Sequence, residues 1–402
     1  MHFQDLSTPA ALVDTQRMAR NIARMQTRMT ALGVAFRPHV KTSKCVDITR
    51  DQMAAGARGI TVSTLKEAEQ FYAAGISDIL YAVGMAAPKL KQAAALMAQG
   101  CTLKIIADSA SSAGAIVDFG VQHGVLFEVW IEIDSDGHRS GVLPESDALL
   151  DIGRLLHGDG ARSRGARLGG VMTHAGASYS LSTPEALQTM AEQERSRCVQ
   201  AAQRLRAAGL PCPVVSVGST PTALSAVQLD GVTEVRAGVY VFFDLVMANV
   251  GVCTTQDIAL SVLTTVIGHQ ADKGWAIVDA GWMAMSRDRG TQAQAHDYGY
   301  GQVCDVHGVP LAGYVMSSAN QEHGIVSWVQ APSIVQPGPV QSGQAGQAAT
   351  VVPATPITQR FPVGTQLRIL PNHACATGAQ FPQYHSVQGQ EVGATWARFY
   401  GW

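Results

Sequence analysis

The sequence predicts an α/β protein in which a (β/α)8 barrel is followed by a second, all-β domain. The chain has 402 residues, of which 47% are hydrophobic and 15% are charged, so it can bury two sizeable cores. From about residue 34 to 240, short apolar runs alternate with helical patterns. After Val250 the helical periodicity ends, and short runs separated by Gly, Pro and Asp replace it.

Eight apolar runs in the first part are typical of strands buried on both faces of a parallel sheet. In chain order they are VAFRPHV, GITV, ILYAV, LKIIAD, LFEVWIEID, RLGGVMTH, CPVVSVGST and EVRAGVYV. Amphipathic patterns between them predict helices, for example over 64–75 and 184–209. Eight strands that each precede a helix or loop favour a barrel. A doubly wound sheet is the alternative, and the absence of GxGxxG after the first strand argues against it.

The remaining segments predict the second domain. The runs IALSVLTTVIGH, GWAIVDAG and TQLRIL indicate short strands, and the opening PAALVD (9–14) is expected to add a strand to them. We therefore place the barrel at 14–248 and the β domain at 1–13 and 249–402. Residues 331–358 are rich in Gln, Ala, Gly and Pro, which predicts a long, mobile surface loop.

Charge and composition exclude several classes of partner. The formal net charge is −2, which provides no field for nucleic acid or an acidic membrane. No apolar run reaches the roughly 18 residues that a spanning helix needs, and the N-terminus lacks the pattern of a signal peptide, so we expect a cytoplasmic protein. The seven cysteines are scattered and odd in number, which suits free thiols or a metal ligand better than disulfides.

Polar residues follow several predicted strands, at the barrel rim where catalytic groups lie. In chain order these are Lys41, Arg139, His174, Gly218, Ser219, Thr220, Gly238 and Tyr240. Each has an ordinary explanation: a lysine in FRPHVKTSK can be a solvated loop residue, and a histidine at a strand end is more often structural than catalytic. Collected at one rim, they favour a site in which Lys41 is a Schiff-base amine. Small residues before a helix would let backbone N–H groups approach a phosphate.

A second cluster is His373 and Cys375 in the segment LPNHACAT. On an extended strand, residues two apart point to the same face. Imidazole and thiolate together suit a divalent cation such as Zn²⁺, and a pair of ligands leaves positions for water or substrate. A buried pair in a β core is the alternative.

Several segments together resemble one family. PHVKTSK, GHRSG, THAGASY, SVGSTPT, RAGVYVFFD, VDAGWMAMSRDRG, QEHG, PNHACAT and the ending RFYGW are similar to the metal-dependent D-threonine aldolase and D-serine dehydratase family. The resemblance covers nearly the whole chain. It implies a pyridoxal-phosphate lyase with an alanine-racemase-type barrel and a C-terminal β domain.

The resemblance also implies roles for individual residues. Lys41 would bind pyridoxal phosphate covalently, with a pKa lowered by desolvation and nearby positive charge. Arg139 would approach the phenolic oxygen, and His174 and Tyr179 would lie beside the ring. The phosphate would be held by Gly218, Ser219, Thr220, Gly238 and Tyr240, the metal (Mn, Zn, Co or Mg) by His373 and Cys375, and the substrate side would be lined by Gln321, Glu322 and His323. Where many relatives carry a second histidine, this chain has Ala177 and Ser178, which leaves the general base open.

The family carries out two reactions on D-β-hydroxy-α-amino acids. Retro-aldol cleavage gives glycine and an aldehyde, and β-elimination gives an α-keto acid and ammonia. The segment VDAGWMAMSRDRGTQ favours D-threonine aldolase, which is our first choice, whereas the His-x-Cys pair favours the alternative, a dehydratase of D-serine or D-threo-3-hydroxyaspartate. An amino-acid racemase or a non-catalytic pyridoxal-phosphate-binding protein stays open. In such barrels a partner's β domain closes the rim, so we expect a homodimer.

Overall fold

The computed structural model describes residues 2–160, 164–329 and 355–402. Contacts divide the chain into two compact units. The β unit comprises Met1–Thr15, Asp244–Asn249 and Ile258–Thr395, and the barrel unit comprises Gln16–Phe243, Val250–Asp257 and Trp396–Trp402. The segments 250–257 and 396–402 thus group with the barrel, whereas the sequence-based boundaries assigned them to the β domain.

The barrel unit contains one parallel sheet. In chain order the first strands are β1 (Ala10–Asp14), β2 (Ala35–Pro38), β3 (Ile60–Val62), β4 (Asp78–Gly84), β5 (Thr102–Ala107), β6 (Phe127–Ile133), β7 (Ala166–Thr173), β8 (Val214–Val217) and β9 (Glu234–Ala237). Strands β2–β9 form the parallel sheet and pair in the order β2-β9-β8-β7-β6-β5-β4-β3, whereas β1 belongs to the β unit. A parallel bridge between His39 and Thr61 joins the two ends of this order. The eight predicted strands and the barrel are therefore confirmed.

Helices connect the strands, and their ends follow local sequence signals. They are α1 (Thr15–Ala31), α2 (Val46–Ala54), α3 (Leu65–Ala73), α4 (Leu90–Ala98), α5 (Ala110–His123), α6 (Asp147–His157), α7 (Pro184–Ala207), α8 (Thr220–Ser225) and α9 (Leu245–Val250). The Thr64 side chain caps α3 by accepting from the Glu67 N–H, and Thr183 caps α7 just before Pro184. The predicted helices over 64–75 and 184–209 are confirmed; the first is three residues shorter than predicted and the second two.

The barrel interior is apolar in one layer and ionic in another. Side chains Leu80, Ile106, Trp130 and Met172 form a buried cluster. In the ionic layer, the guanidinium of Arg37 lies 3.0 Å from Glu234 Oε2 and 2.8 Å from Asp78 Oδ1. Arg37 and Glu234 are both buried, so neither charge is hydrated by bulk water.

The β unit is an antiparallel sheet with one parallel pair. Its further strands are β10 (Leu260–Gln270), β11 (Trp275–Val278), β12 (Gly301–Cys304), β13 (Pro310–Ala319), β14 (Gly324–Trp328), β15 (Gln366–Pro371), β16 (Gln383–Gln388) and β17 (Glu391–Ala397), with short helices α10 (Trp282–Met285), α11 (Ile357–Arg360) and α12 (Ala374–Gly378). The strand order is β11-β14-β13-β12-β15-β10-β1-β16-β17. Strand β1 lies antiparallel to β10 and parallel to β16, which confirms the strand predicted at 9–14.

Most of the predicted loop at 331–358 lies outside the described residues, which resume at 355. From Ile357 the chain forms the short helix α11. In the described ranges, no helix combines the length and the apolar character that crossing a membrane requires.

Candidate active site

Lys41 lies in the turn that follows β2, beside His39. Its backbone N is 3.5 Å from His39 Nδ1, and His39 Nε2 is 3.4 Å from the hydroxyl of Ser63. Burial lowers the pKa of His39 well below its usual value, and the charges of Lys41 and Arg236 lower it further. Lys41 itself is exposed in this chain, so the predicted desolvation of its amine is not provided by the residues described here.

His174 comes directly after β7 and is held by the next loop. Its Nδ1 lies 3.0 Å from the backbone oxygen of Gly218. Because a carbonyl can only accept, Nδ1 carries the proton and Nε2 keeps a lone pair. Burial lowers the pKa of His174 to about 3, and although the bond to Gly218 raises it, the charges of Lys41, Arg236 and Arg139 oppose that effect. His174 is therefore neutral near pH 7 and can accept a proton or hydrogen bond at Nε2. The ring of Tyr179 lies 6.0 Å away.

The turn Gly218-Ser219-Thr220 joins β8 to α8. Gly218 has a φ of +136°, and a Cβ there would lie 2.1 Å from the backbone oxygen of Arg236, so only glycine fits. The hydroxyl of Ser219 accepts from the Thr222 N–H and caps α8. Thr220 is fully buried, and among the described residues its Oγ1 has no hydrogen-bond partner. A buried hydroxyl without a partner is costly, and a phosphate oxygen at this turn would satisfy it.

Two more of the predicted phosphate residues follow β9. A Cβ at Gly238 would lie 2.9 Å from the backbone oxygen of His39, so the loops after β2 and β9 approach closely there. The hydroxyl of Tyr240 is buried and accepts a 2.7 Å bond from Gln52 Nε2. Burial raises the pKa of Tyr240. The hydroxyl of Tyr240 thus accepts from helix α2 and keeps its own O–H to donate.

Arg139 follows β6 and contacts a buried carboxylate. Its Nη2 lies 3.3 Å from Glu132 Oε1, while 58% of the side chain is exposed. The charge of Arg139 contributes to the lowered pKa of His174, so the two side chains lie at the same part of the rim. The lysine turn, the Arg139 cation and the neutral His174 imidazole thus lie at the carboxyl ends of β2, β6 and β7, respectively.

The sequence interpretation missed three groups at this rim, two of them buried and one, His39, half-buried. They are His39, Glu194 and Arg236. Arg236 Nε donates a 2.8 Å bond to Ser216 Oγ, and its Nη2 donates to the backbone oxygen of Thr173. A charged residue inside an apolar strand run, as in EVRAG, is a signal that could have identified it, because isolated buried charges are costly. Glu194 gave no signal, since a glutamate on a long helix is normally exposed.

The metal pair lies in the β unit, but not on a strand. Strand β15 ends at Pro371, and His373 is the residue before α12, so the predicted extended spacing of His373 and Cys375 is wrong. A helical turn still brings the two side chains together, as the hydrogen bond between Cys375 and His373 shows. His373 Nδ1 also lies 2.6 Å from Asp288 Oδ2. Burial lowers the pKa of His373, but Cys375 and Asp288 outweigh it and raise it to about 11.

A buried carboxylate fixes the turn that carries this pair. Asp244 Oδ2 accepts a 2.9 Å bond from the Ala374 N–H, and Oδ1 accepts from the Met247 N–H. Burial raises the pKa of Asp244. In the described ranges no group of three or more His, Cys, Asp or Glu side chains has the arrangement of a metal site. The donors present are an imidazole and a thiol with a carboxylate behind the imidazole, a set suited to an open, borderline-soft cation site.

The predicted substrate residues Gln321, Glu322 and His323 form the turn between β13 and β14. All three are exposed. The backbone oxygen of Gln321 accepts a 3.1 Å bond from the Met283 N–H, which ties this turn to α10. Within either unit, the contacts of the described residues do not indicate a ligand for these three side chains.

Comparisons with known proteins match family models to both parts of the chain. The family model described as "Alanine racemase, N-terminal domain" matches residues 13–246, and "Putative serine dehydratase domain" matches residues 259–387. A D-threo-3-hydroxyaspartate dehydratase of Delftia sp. (strain HT23) is 64% identical over 398 residues, covering 99% of this chain and 98% of the relative. A D-threonine aldolase of Arthrobacter sp. is 28% identical over 361 residues, covering 87% of this chain and 85% of the relative.

The solved structure of the Delftia sp. HT23 dehydratase has a TM-score of 0.91 and 62% identity, and the match covers all of both chains. Two variants of a D-threo-3-hydroxyaspartate dehydratase are also solved. In one, alanine replaces a histidine; in the other, alanine replaces a cysteine two positions later. The cysteine variant is in the metal-free form.

Proposed function

Since the chain belongs to the alanine racemase-like family of pyridoxal-phosphate-dependent lyases with a serine dehydratase domain, we propose that it dehydrates D-threo-3-hydroxyaspartate. The observation that carries the proposal is the 64% identity, over 99% of the chain, to a dehydratase of that substrate. The aldolase relative is far more distant at 28%. The comparisons thus favour the alternative in our sequence interpretation over its first choice, D-threonine aldolase.

In this reaction the substrate loses its α-proton and its β-hydroxyl, and hydrolysis of the resulting imine releases ammonia. Water leaves in the first stage and is consumed in the second, so one D-threo-3-hydroxyaspartate gives one oxaloacetate and one ammonia. Pyridoxal phosphate, when bound, supplies an electron sink for the charge released at the α-carbon.

The barrel residues fit that cofactor. Lys41 supplies the amine at the rim. The Oγ1 of Thr220, which has no partner among the described residues, and the close turn at Gly218 suit a phosphate, which supports the predicted phosphate site. The Nε2 lone pair of His174 is available to accept a proton or hydrogen bond, because the pKa of about 3 keeps the ring neutral. Arg139 remains the candidate for the phenolic oxygen.

His373 and Cys375 would hold a divalent metal, and Asp288 would orient the imidazole through Nδ1. The solved variants support this, because their replaced histidine and cysteine have the same spacing as this pair. The metal would act as a Lewis acid on the departing hydroxyl. Gln321, Glu322 and His323 remain candidates for the substrate side, and a homodimer with shared sites remains our proposal for the assembly; an active monomer in sedimentation would exclude it.

Product analysis tests the function. Purified enzyme is incubated with D-threo-3-hydroxyaspartate, D-serine and D-threonine. We expect oxaloacetate and ammonia from the first substrate in equal amounts, with D-serine a slower source of pyruvate. Glycine with glyoxylate, or glycine with acetaldehyde from D-threonine, would instead identify an aldolase.

Three controls assign the cofactors. Lys41→Ala should lose the absorbance of the covalently bound cofactor, at about 415 nm, together with activity. Chelation should abolish dehydration in the unmodified enzyme, and Zn²⁺, Mn²⁺ or Co²⁺ should restore it. Cys375→Ala should bind less metal and still keep the absorbance band. Full activity after exhaustive chelation would contradict the metal's role.

A further inference from the structure

Glu194 lies in the middle of α7 and is 2% exposed. Its Oε1 accepts a 2.9 Å bond from the Ala175 N–H and a 3.1 Å bond from the Gly218 N–H. The side chain of Thr222 also hydrogen-bonds to it. One carboxylate therefore joins the loop that carries His174, the loop that begins the phosphate turn, and helix α8.

A buried carboxylate at this position is costly, so its presence needs a reason. Glu194 forms no ion pair with another residue of the described ranges. Burial raises the pKa of Glu194, and the N–H bonds and the charge of Arg236 lower it again. Its negative charge also lies beside Gly218, where an anionic phosphate is expected, and like charges repel. Charge alone would therefore work against cofactor binding here, and the benefit must come from the hydrogen bonds.

Gly218 is held on both sides by these contacts. Its N–H donates to Glu194, and its carbonyl oxygen accepts from His174 Nδ1. A third bond, 2.9 Å between the hydroxyls of Ser178 and Ser219, joins the same two loops. Gly218 adopts a φ of +136°, which glycine reaches readily and other residues rarely do, and the bonds on both of its sides fix the direction of its carbonyl.

We propose that Glu194 is a positioning residue: by accepting both N–H groups it holds the Gly218 carbonyl towards His174 and aligns Thr220 for the cofactor phosphate. Glu194 itself touches neither the cofactor nor the substrate. The reach of its oxygen matters in this scheme, and its charge does not. The proposal relies on the family's cofactor, and it holds equally for a dehydratase and an aldolase.

Two conservative variants separate reach from charge. Glu194→Gln keeps the length of the side chain and an oxygen with two lone pairs, and removes the charge. Glu194→Asp keeps the charge and is one methylene shorter, so its oxygen cannot reach both N–H groups. The measurement is the dissociation constant of pyridoxal phosphate, from titration of the cofactor-free protein followed by absorbance. The matched control is Glu192→Gln, an exposed carboxylate on the same helix that pairs with Arg195.

We expect Glu194→Gln and the control to bind within about threefold of the unmodified protein, and Glu194→Asp to bind on the order of ten- to a hundredfold more weakly, as for a lost pair of buried hydrogen bonds. Tight binding by the Asp variant with loss in the Gln variant would show that charge matters, and would overturn the proposal. Equal binding by both variants, or equal loss in both, would overturn it too. If the unmodified protein bound no pyridoxal phosphate, the cofactor assignment itself would fail, which is a separate result.

Discussion

Replacing Thr220 with valine should have opposite effects on the cofactor-free and the cofactor-bound protein. Valine has nearly the shape of threonine but no hydroxyl. Thr220 is fully buried, and its Oγ1 has no partner among the described residues. A buried unsatisfied hydroxyl costs about 1 to 3 kcal/mol, so its removal should stabilise the cofactor-free protein by about 1 kcal/mol.

The same change should weaken cofactor binding. A hydrogen bond to a charged group contributes about 1.5 to 3 kcal/mol, which corresponds to roughly a ten- to hundredfold rise in the dissociation constant. The fit of Thr220 to the phosphate rests on this bond. Thr220→Val therefore distinguishes a hydroxyl that contributes to cofactor binding from one that contributes to folding stability.

Thermal unfolding and cofactor titration measure the two effects. We expect the melting temperature of the cofactor-free protein to rise by about 2 °C. Thr222→Val is the matched control. The Thr222 hydroxyl accepts a 3.0 Å bond from the Ser219 N–H, and the loss of this bond should destabilise α8. A lower melting temperature for Thr220→Val, or an unchanged cofactor affinity, would refute the reasoning.

Three further predictions concern the barrel unit. The folded pKa of His174, about 3, lies below the unfolded value of about 6.5, so the unfolded state takes up the proton first as the pH falls. The free energy of unfolding should therefore decrease between those values, by about 3 kcal/mol at most at pH 4. In urea unfolding, His174→Asn should lose less stability than the unmodified protein between pH 7 and 4, and an equal loss would argue against this prediction. Gly218→Ala should cost more than about 3 kcal/mol because its Cβ would overlap the backbone of Arg236, whereas Gly209→Ala, where the space is open, should cost only about 1 kcal/mol in the same melting assay. Arg37→Met should cost about 3 to 5 kcal/mol by leaving Glu234 buried without its partner; the double variant with Glu234→Gln should recover much of that loss, and strictly additive costs would contradict the pairing.

The sequence allowed the barrel to be predicted because its strands are buried on both faces. A strand such as β5 (Thr102–Ala107) then contains an almost wholly apolar run, LKIIA, in which Lys104 is the one charged residue, and its pattern differs from that of the amphipathic helices around it. Residues at strand ends, such as Lys41 and His174, could be predicted for the same reason. In a parallel barrel the carboxyl ends of all strands meet at one rim, so chain position alone determines the neighbourhood.

The metal pair shows where that reasoning fails. The spacing of His373 and Cys375 was interpreted as two residues on one face of a strand, yet the strand ends at Pro371 and a helical turn follows. A short segment such as NHACAT contains too few residues for periodicity to distinguish a turn from a strand. What fixes the turn is the bond from the Ala374 N–H to Asp244, a residue 130 positions earlier in the chain.

The amino-acid order alone determined the strand and helix sequence and the chemical types gathered at the barrel rim, since hydrophobic periodicity and chain order are local properties. Only the folded structure decided which partner each polar atom has: that Glu194 reaches two loops, that the hydroxyl of Tyr240 accepts from Gln52, and that the hydroxyl of Thr220 has no partner among the described residues. Hydrogen bonds between residues far apart in the chain depend on tertiary distances of a few ångströms, which no local pattern encodes.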